Sequence, residues 1–327
     1  MSPSMPSPVI IYRYDASPYS VKIDNILILK NIPHQKVNVS PVLPRPEITD
    51  LLGITYRRIP ILAIGNDVYC DTSLIASALE RRFPSSAGYG TIFPRSKDSG
   101  ATDTGAIKIF AKLYESTIFP TASGLLPWEA LPKAFLDDRS SYIGGPIDVK
   151  AMTALQGKSL TTLSSHLALL EEQLNDGREW LFNSELPSLA DITVHFIFTW
   201  VKKIGVRPAK SLWLTRISDY LQSRQTGQAA VQSITGDHAA KTIVSAAHEP
   251  YNVVGFNNQE AGYLGLKLND YVQIAPDDTG KKFSTVGKLV GFNKEEIVIE
   301  VQGSEGLLRC HFPRLVYTVT NIRPHKL

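Results

Sequence analysis

Three short groups of residues early in the chain have types and spacings suited to holding an anion: Ser17-Pro18-Tyr19-Ser20, Arg58-Ile59-Pro60-Ile61 and Asp71-Thr72. Ser17 suits a helix N-cap with Pro18 at the first helical position: a cap oxygen accepts an orphan amide, and proline lacks an N–H that the first turn does not use. Amides at a helix start, with the positive end of the dipole, favour negative charge. A hydroxyl at that spot can also donate to a thiolate. Taken singly, each residue has a plainer reading. Ser17 caps a helix, Pro60 marks a turn or strand edge, Asp71 is a helix-start carboxylate and Arg58 a surface base.

The elements that must position these groups can be read from apolar patterning. Residues 9–14 are an apolar strand, and Val21, Ile23, Ile26, Leu27 and Leu29 supply the apolar run of a helix ending near Lys30. Strands at 36–39, 61–64 and 67–69 follow, and then a helix. This thioredoxin-like order, with the three groups in sequence, resembles the N-terminal domain of the glutathione S-transferases over residues 9–85, of the fungal type with a serine-type active site.

The resemblance implies a role for each group. Ser17 is the activating hydroxyl; since Ser stands at both ends of what is Cys-Pro-Tyr-Cys in glutaredoxins, disulfide exchange through an enzyme thiol is not expected. Ile59-Pro60 matches a dipeptide with a cis proline, which turns the Ile59 N–H and C=O outward to pair with the cysteinyl backbone of glutathione. Asp71 and Thr72 hold the γ-glutamyl amine and carboxylate, and Arg58, or else Arg57, the glycyl carboxylate. A free thiol has a pKa near ~8.5. A hydrogen bond to the charged form is worth about 1.5–3 kcal/mol, so Ser17 and the helix start would lower that pKa by roughly one to two units. The cosubstrate glutathione is then the nucleophile, adding to a small hydrophobic electrophile, with Tyr14, Tyr19, Phe110, Tyr114 and Phe119 as candidates to line its cleft; aromatic residues at helical spacing are also ordinary core. Two alternatives stay open: a glutathione-dependent isomerase or lyase, and a non-catalytic binding or scaffold protein. Asp-Thr in place of Glu-Ser, Arg58 in place of Lys and the Pro-rich 41–46 segment leave room for the latter.

The remaining sequence bounds the class. The chain has 327 residues, 43% hydrophobic and 20% charged, with a net charge of +3, an ordinary globular balance that makes no case for nucleic acid. Cys70 and Cys310, the only cysteines, are far apart in sequence, which fits a reducing compartment rather than a stapled secreted scaffold. With no signal-like or bilayer-length apolar stretch, a cytoplasmic protein without membrane contact is expected. The seven histidines lack paired ligand spacing, so no metal site is expected. Glycine-rich nucleotide loops are not expected either.

The fold class expected is α/β plus all-α plus small all-β. Residues 1–8 are a disordered lead, 9–85 the thioredoxin-like domain, 86–105 a linker and 106–247 a helical domain of the transferase C-terminal kind. Residues 248–327 are a small SH3-like β-barrel that two-domain transferases lack. Within the helices, Ile107, Phe110, Ala111, Tyr114 and Ile118 share one face, and Leu160, Leu163, Leu167 and Leu170 another. Ser188 and Asp191 are spaced as a capping pair with a structural role. Residues 120–150 have no clear counterpart in the family. His311-Phe312-Pro313-Arg314 reads as a strand end with a solvated arginine, or else as an anion or partner contact. The resemblance also implies a homodimer.

Overall fold

The computed structural model describes residues 7–206 and 212–322, so most of the expected lead, residues 1–6, lies outside the described residues. The amino-terminal unit runs β1 (Val9–Arg13), α1 (Pro18–Lys30), β2 (Gln35–Asn38), α2 (Pro46–Thr49), β3 (Ile61–Ile64), β4 (Asp67–Cys70) and α3 (Thr72–Arg82). Side chains alternate across a strand, and in β1 both faces are buried. Val9 and Ile11 pack with α1, α3 and the helical region, while Ile10 and Tyr12 join a second core on the opposite face. That is why the strand reads as an unbroken apolar run rather than an alternating one.

The helical region comprises α4 (Thr104–Leu113), a π-turn at Tyr114–Ile118, α5 (Phe119–Ser123), α6 (Lys133–Ile143), α7 (Val149–Ala154), α8 (Gln156–Leu174), α9 (Leu189–Lys203) and α10 (Leu212–Thr226). α9 is buried nearly all round because α1, α4 and α10 pack on it. Its start carries the expected capping pair: Asp191 Oδ2 accepts from Ser188 N at 2.9 Å and Ser188 Oγ at 2.7 Å, while Oδ1 accepts from Leu181 N at 2.9 Å and Trp213 Nε1 at 3.2 Å. Ile107, Ala111, Tyr114 and Ile118 are buried as their spacing predicts; on α8, Leu163 and Leu170 are buried, but Leu160 is exposed. Among the described residues no helix is long and apolar enough to cross a membrane.

The carboxy-terminal stretch adds β5 (Gln232–Ser233), α11 (Gly236–Ser245), α12 (Tyr251–Val254), α13 (Asn258–Gly262), β6 (Tyr271–Pro276), β7 (Thr285–Phe292), β8 (Glu296–Gln302), β9 (Leu307–Pro313) and β10 (Tyr317–Asn321). Strands after residue 248 were expected, but not β5 and not how they assemble. Instead of closing into a separate barrel they continue the thioredoxin-like sheet: β9 lies parallel to β4, giving one ten-stranded sheet in the order β10-β6-β7-β8-β9-β4-β3-β1-β2-β5. The physical reason is a shared core in which Val68 and Cys70 of β4, Ala239 and Ile243 of α11, and Leu308, Cys310 and Phe312 of β9 are buried together. Cys70 and Cys310, distant in sequence, thereby come to 3.7 Å between sulfurs, both as free thiols. The loop after α2 docks on the β8–β9 turn with no room for a Cβ: one at Gly53 (φ +69) would lie 2.4 Å from Gln302 O.

The joint between β4 and β9 is ionic as well as apolar. His311 is fully buried, with Nε2 at 3.0 Å from Asp67 and Nδ1 at 2.9 Å from Glu296. Asp67 also meets Arg82 at 3.0 Å and Arg309 at 3.2 Å, and Glu296 meets Arg81 at 2.9 Å. The expectation for residues 311–314 is corrected accordingly: His311 is interior, within hydrogen-bond distance of two carboxylates, and the Arg314 guanidinium stacks over Phe292 at 4.4 Å.

Candidate functional site

Strand register gathers the candidate residues at one end of the sheet. Ile61 lies opposite Tyr12 on one side and Cys70 on the other. The chain leaving β1 toward Ser17, the chain entering β3 through Ile59 and Pro60, and the chain leaving β4 into Asp71 and Thr72 therefore meet there.

Ser17 is the N-cap of α1, and its Oγ accepts from Ser20 N at 3.2 Å, with Pro18 in the first turn. It donates to no group among the described residues. At 2% exposure the residue is closed off from solvent in this conformation. Ser20 Oγ is likewise buried and has no hydrogen-bond partner among the described residues.

The Ile59–Pro60 bond is cis. Ile59 is half-buried, and neither its N–H nor its C=O is hydrogen-bonded to any described residue. Unpaired backbone groups at the entry to a strand are what an added extended backbone pairs with.

Asp71 caps α3 at φ +74, a conformation uncommon for a residue with a side chain. Its Oδ1 accepts from Ser73 N at 2.9 Å and Ser73 Oγ at 2.6 Å, and its Oδ2 lies 3.1 Å from Tyr317 Oη on β10. Burial alone would push its carboxyl upward, but the charge of Lys112, the Ser73 hydrogen bonds and the charge of Arg58 outweigh burial and hold it below the usual carboxylate range. Thr72 Oγ1 accepts at 3.2 Å from Lys22 Nζ, a fully buried ammonium that is also ion-paired with Glu115.

The two basic residues before Ile59 are both paired with carboxylates. Arg57 Nη2 donates to Asp138 Oδ2 of α6 at 2.7 Å. Arg58 Nη2 donates to Asp278, to Thr279 O at 2.7 Å and to Thr279 Oγ1 at 3.1 Å, all in the loop between β6 and β7. That loop is tied to α6 by Gly280 N donating to Tyr142 O at 2.8 Å, and the Arg57 guanidinium lies 4.8 Å from the ring centroids of both Tyr142 and Phe283.

The aromatic candidates divide. Tyr14 is half-buried, with Oη 3.4 Å from Arg139 Nη2, at the edge of this cluster. Tyr19 packs on Phe119 and Phe196 at centroid distances of 4.6 and 5.2 Å; burial first, then the nearby charges of Glu115 and Asp71, push its hydroxyl well up. Phe110 and Tyr114 stack on each other at 4.5 Å, and Phe110 meets Phe182 edge-on at 5.7 Å, so the pair sits in the helical core. Helical spacing does not separate a core aromatic from a cleft aromatic.

Sequence reasoning missed Lys22, Glu115, Asp278 and Tyr317. Lys22 did carry a signal, since it lies three residues after Tyr19 and four before Ile26, on the apolar stripe of α1. The contacts of Asp278 and Tyr317 arise from long-range packing and carried none.

Residues 11–87 match the family model described as the N-terminal domain of glutathione S-transferases, and residues 116–213 match a domain of unknown function. The fold is shared with a GST-like protein from Pseudomonas syringae at a TM-score of 0.68 and 24% identity, covering 97% of this chain and 100% of that one. That coverage means the strands after the helical region belong to the shared fold. Two further solved structures are similar over less of the chain. One is a glutathione S-transferase from Methylobacterium radiotolerans in complex with glutathione sulfonate (19% identity, TM-score 0.46, 70% of this chain and 98% of that). The other is a bacterial zeta-class maleyl pyruvate isomerase (16% identity, TM-score 0.46, 73% of this chain and 100% of that). No curated protein matches the chain.

Proposed function

We propose that this chain binds a glutathione-type thiol across Ile59 and holds it as the thiolate at Ser17, for addition to an electrophile. The observation that carries the reading is the pair of unbonded Ile59 backbone groups at the sheet end where α1 and α3 begin. A tripeptide laid along Ile59 would set its sulfur toward the cap of α1, where the Ser17 proton is uncommitted. Its γ-glutamyl end would lie toward Asp71 and Thr72. Thiolate attack forms a sulfur–carbon bond to the electrophile. A leaving group departing with its electron pair gives conjugation, and re-expulsion of the thiolate gives isomerisation.

The burial of Ser17 favours a second reading, a binding protein that holds the thiol without turnover, because the thiol reaches Oγ only if the covering chain opens. One experiment addresses both. Titration calorimetry with millimolar glutathione is expected to show binding, and Ser17→Ala is expected to raise the bound thiol's pKa by roughly one to two units, read from thiolate ultraviolet absorbance. No heat on adding glutathione sinks the thiol site. Binding with an unmoved thiol pKa in Ser17→Ala supports the non-catalytic reading.

A further inference from the structure

Helix α6 is fastened to the rest of the chain by polar contacts and not by apolar packing. It gives no residue to any apolar core among the described residues, and Ile143 at its end is 53% exposed. The fastening centres on Asp138, whose side chain is 8% exposed. Asp138 Oδ1 accepts from Leu43 N at 3.1 Å, and Oδ2 accepts from Arg57 Nη2 at 2.7 Å and from the neighbouring Arg139. Arg139 Nη2 in turn reaches Pro41 O at 3.2 Å and Tyr14 Oη at 3.4 Å. One turn on, the Tyr142 ring centroid lies 4.8 Å from the Arg57 guanidinium, and the Tyr142 carbonyl accepts from Gly280 N at 2.8 Å. These anchors stand on both sides of the proposed site. Tyr14 belongs to the chain leaving β1, where its carbonyl accepts from Ser17 N at 3.1 Å, and Arg57 lies just before Arg58 and Ile59 in the chain entering β3. A helix tied to both spans the line from the Ser17 cap to the unbonded Ile59 backbone groups, along which a tripeptide would run. The α6 helix is followed by Gly144, at φ +89, and Gly145, and a Cβ built on either would meet nothing within 4 Å, so the chain is free to pivot there.

We infer that α6 is a lid over the thiol site, latched by the Asp138 carboxylate, and that it swings about Gly144 and Gly145 to admit the thiol to Ser17. The inference rests on the thiol-site reading above and names the chain that must move for a ligand to reach a hydroxyl at 2% exposure. An element with no side chain in a core opens at the loss of its latch alone, whereas one with core side chains must also bring those into water. Asp138 is therefore a positioning residue: it touches no ligand and acts through Arg57, Arg139 and the Leu43 amide.

The test follows access to position 17 in the full chain with no ligand present. A thiol introduced by Ser17→Cys is labelled with DTNB, and the unsubstituted protein serves as the blank for the fully buried Cys70 and Cys310. Adding Asp138→Asn is expected to speed labelling about ten- to hundredfold, the scale of one hydrogen bond between charged groups. Tyr142→Leu removes the stacking on Arg57, keeps the backbone bond to Gly280, and is expected to speed labelling about threefold or more; it carries the test where Asp138→Asn does not fold. Hydrogen exchange is read alongside. In Asp138→Asn the Gly280 amide, which bonds to α6 and touches no substituted side chain, is expected to exchange faster while the amides of α9 keep their rates. Labelling that is equally fast in all three backgrounds overturns the lid. Faster labelling with an unchanged Gly280 amide overturns it too, since the thiol's own reactivity has then changed and not its cover. Acceleration throughout α9 likewise overturns it, because the whole chain has then loosened. The thiol-site reading is judged separately, by glutathione calorimetry: labelling and exchange that respond as expected in a protein giving no heat with glutathione keep α6 as the cover of Ser17 and strike the thiol reading alone.

Discussion

Replacing His311 with leucine tests whether charge, as well as packing, joins the carboxy-terminal strands to the thioredoxin-like sheet. The imidazole is the bridge between two buried carboxylates, at 3.0 Å from Asp67 and 2.9 Å from Glu296. Leucine fills similar space and donates nothing. Asp67 then keeps Arg82, Arg309 and the Glu249 amide at 2.5 Å, while Glu296 keeps only Arg81 among its ionic partners. Two hydrogen bonds to charged groups, at about 1.5–3 kcal/mol each, set a gross loss of about 3–6 kcal/mol. Burying leucine returns about 1.5–3 kcal/mol, leaving a net loss of roughly 1.5–3 kcal/mol. Urea unfolding at pH 7, followed by far-ultraviolet circular dichroism and tryptophan emission, measures it. All four tryptophans lie in the helical region, so an equal shift of the emission transition also shows that the β4–β9 joint and the helices unfold together. The acid limb gives a second readout. Burial raises both carboxyls, but His311, with Arg309 and the Glu249 amide at Asp67 and with Arg81 at Glu296, holds them below the usual range. Groups depressed in the folded state contribute stability above their unfolded pKa values, near ~4, and lose it as pH falls through the folded values. The variant should therefore have a shallower acid limb. A loss under about 1 kcal/mol with an unchanged acid limb refutes the reasoning.

Two further perturbations follow from buried polar groups. Lys22→Met strands the Glu115 carboxylate, whose side chain is 9% exposed, and should cost about 3–5 kcal/mol in denaturant unfolding, whereas Lys22→Met with Glu115→Gln should recover much of it; a double variant as unstable as the single one counts against an ion pair here. His195 lies between Asn25 at 3.3 Å and Ser218 at 2.9 Å, and burial, then the charge of Lys203, lowers its pKa to about 4. The unfolded chain takes up that proton near ~6.5 and the folded one does not, so stability should fall by roughly 3 kcal/mol as pH drops from ~6.5 to ~4. His195→Gln should flatten this window and leave the carboxylate limb below it; a wild-type profile flat across the window rules the argument out.

How far the sequence could be read depended on whether the information was local. Caps and periodicity are local. Ser17 and Pro18 open α1, and Ser188 and Asp191 open α9. The pairing of β4 with β9 is not local. A strand edge offers backbone groups that look alike whatever the side chains, so nothing in residues 67–70 says whether that edge faces solvent, a helix or a strand some 240 residues on. The meeting of Cys70 with Cys310 and the interior place of His311 follow from that one pairing. At the site the same division holds with more consequence. Motif order picked out Arg58, Ile59, Pro60, Asp71 and Thr72, and strand register brings them together. It could not say that Arg58 is answered by Asp278, 220 positions away, or Asp71 by Tyr317, 246 away. A motif names the groups that face a ligand, whereas the charge the ligand meets is their sum with every group folded against them. The local charge at a site is therefore the property least safely carried from a motif, and here one of its arginines is paired by a loop outside the amino-terminal unit.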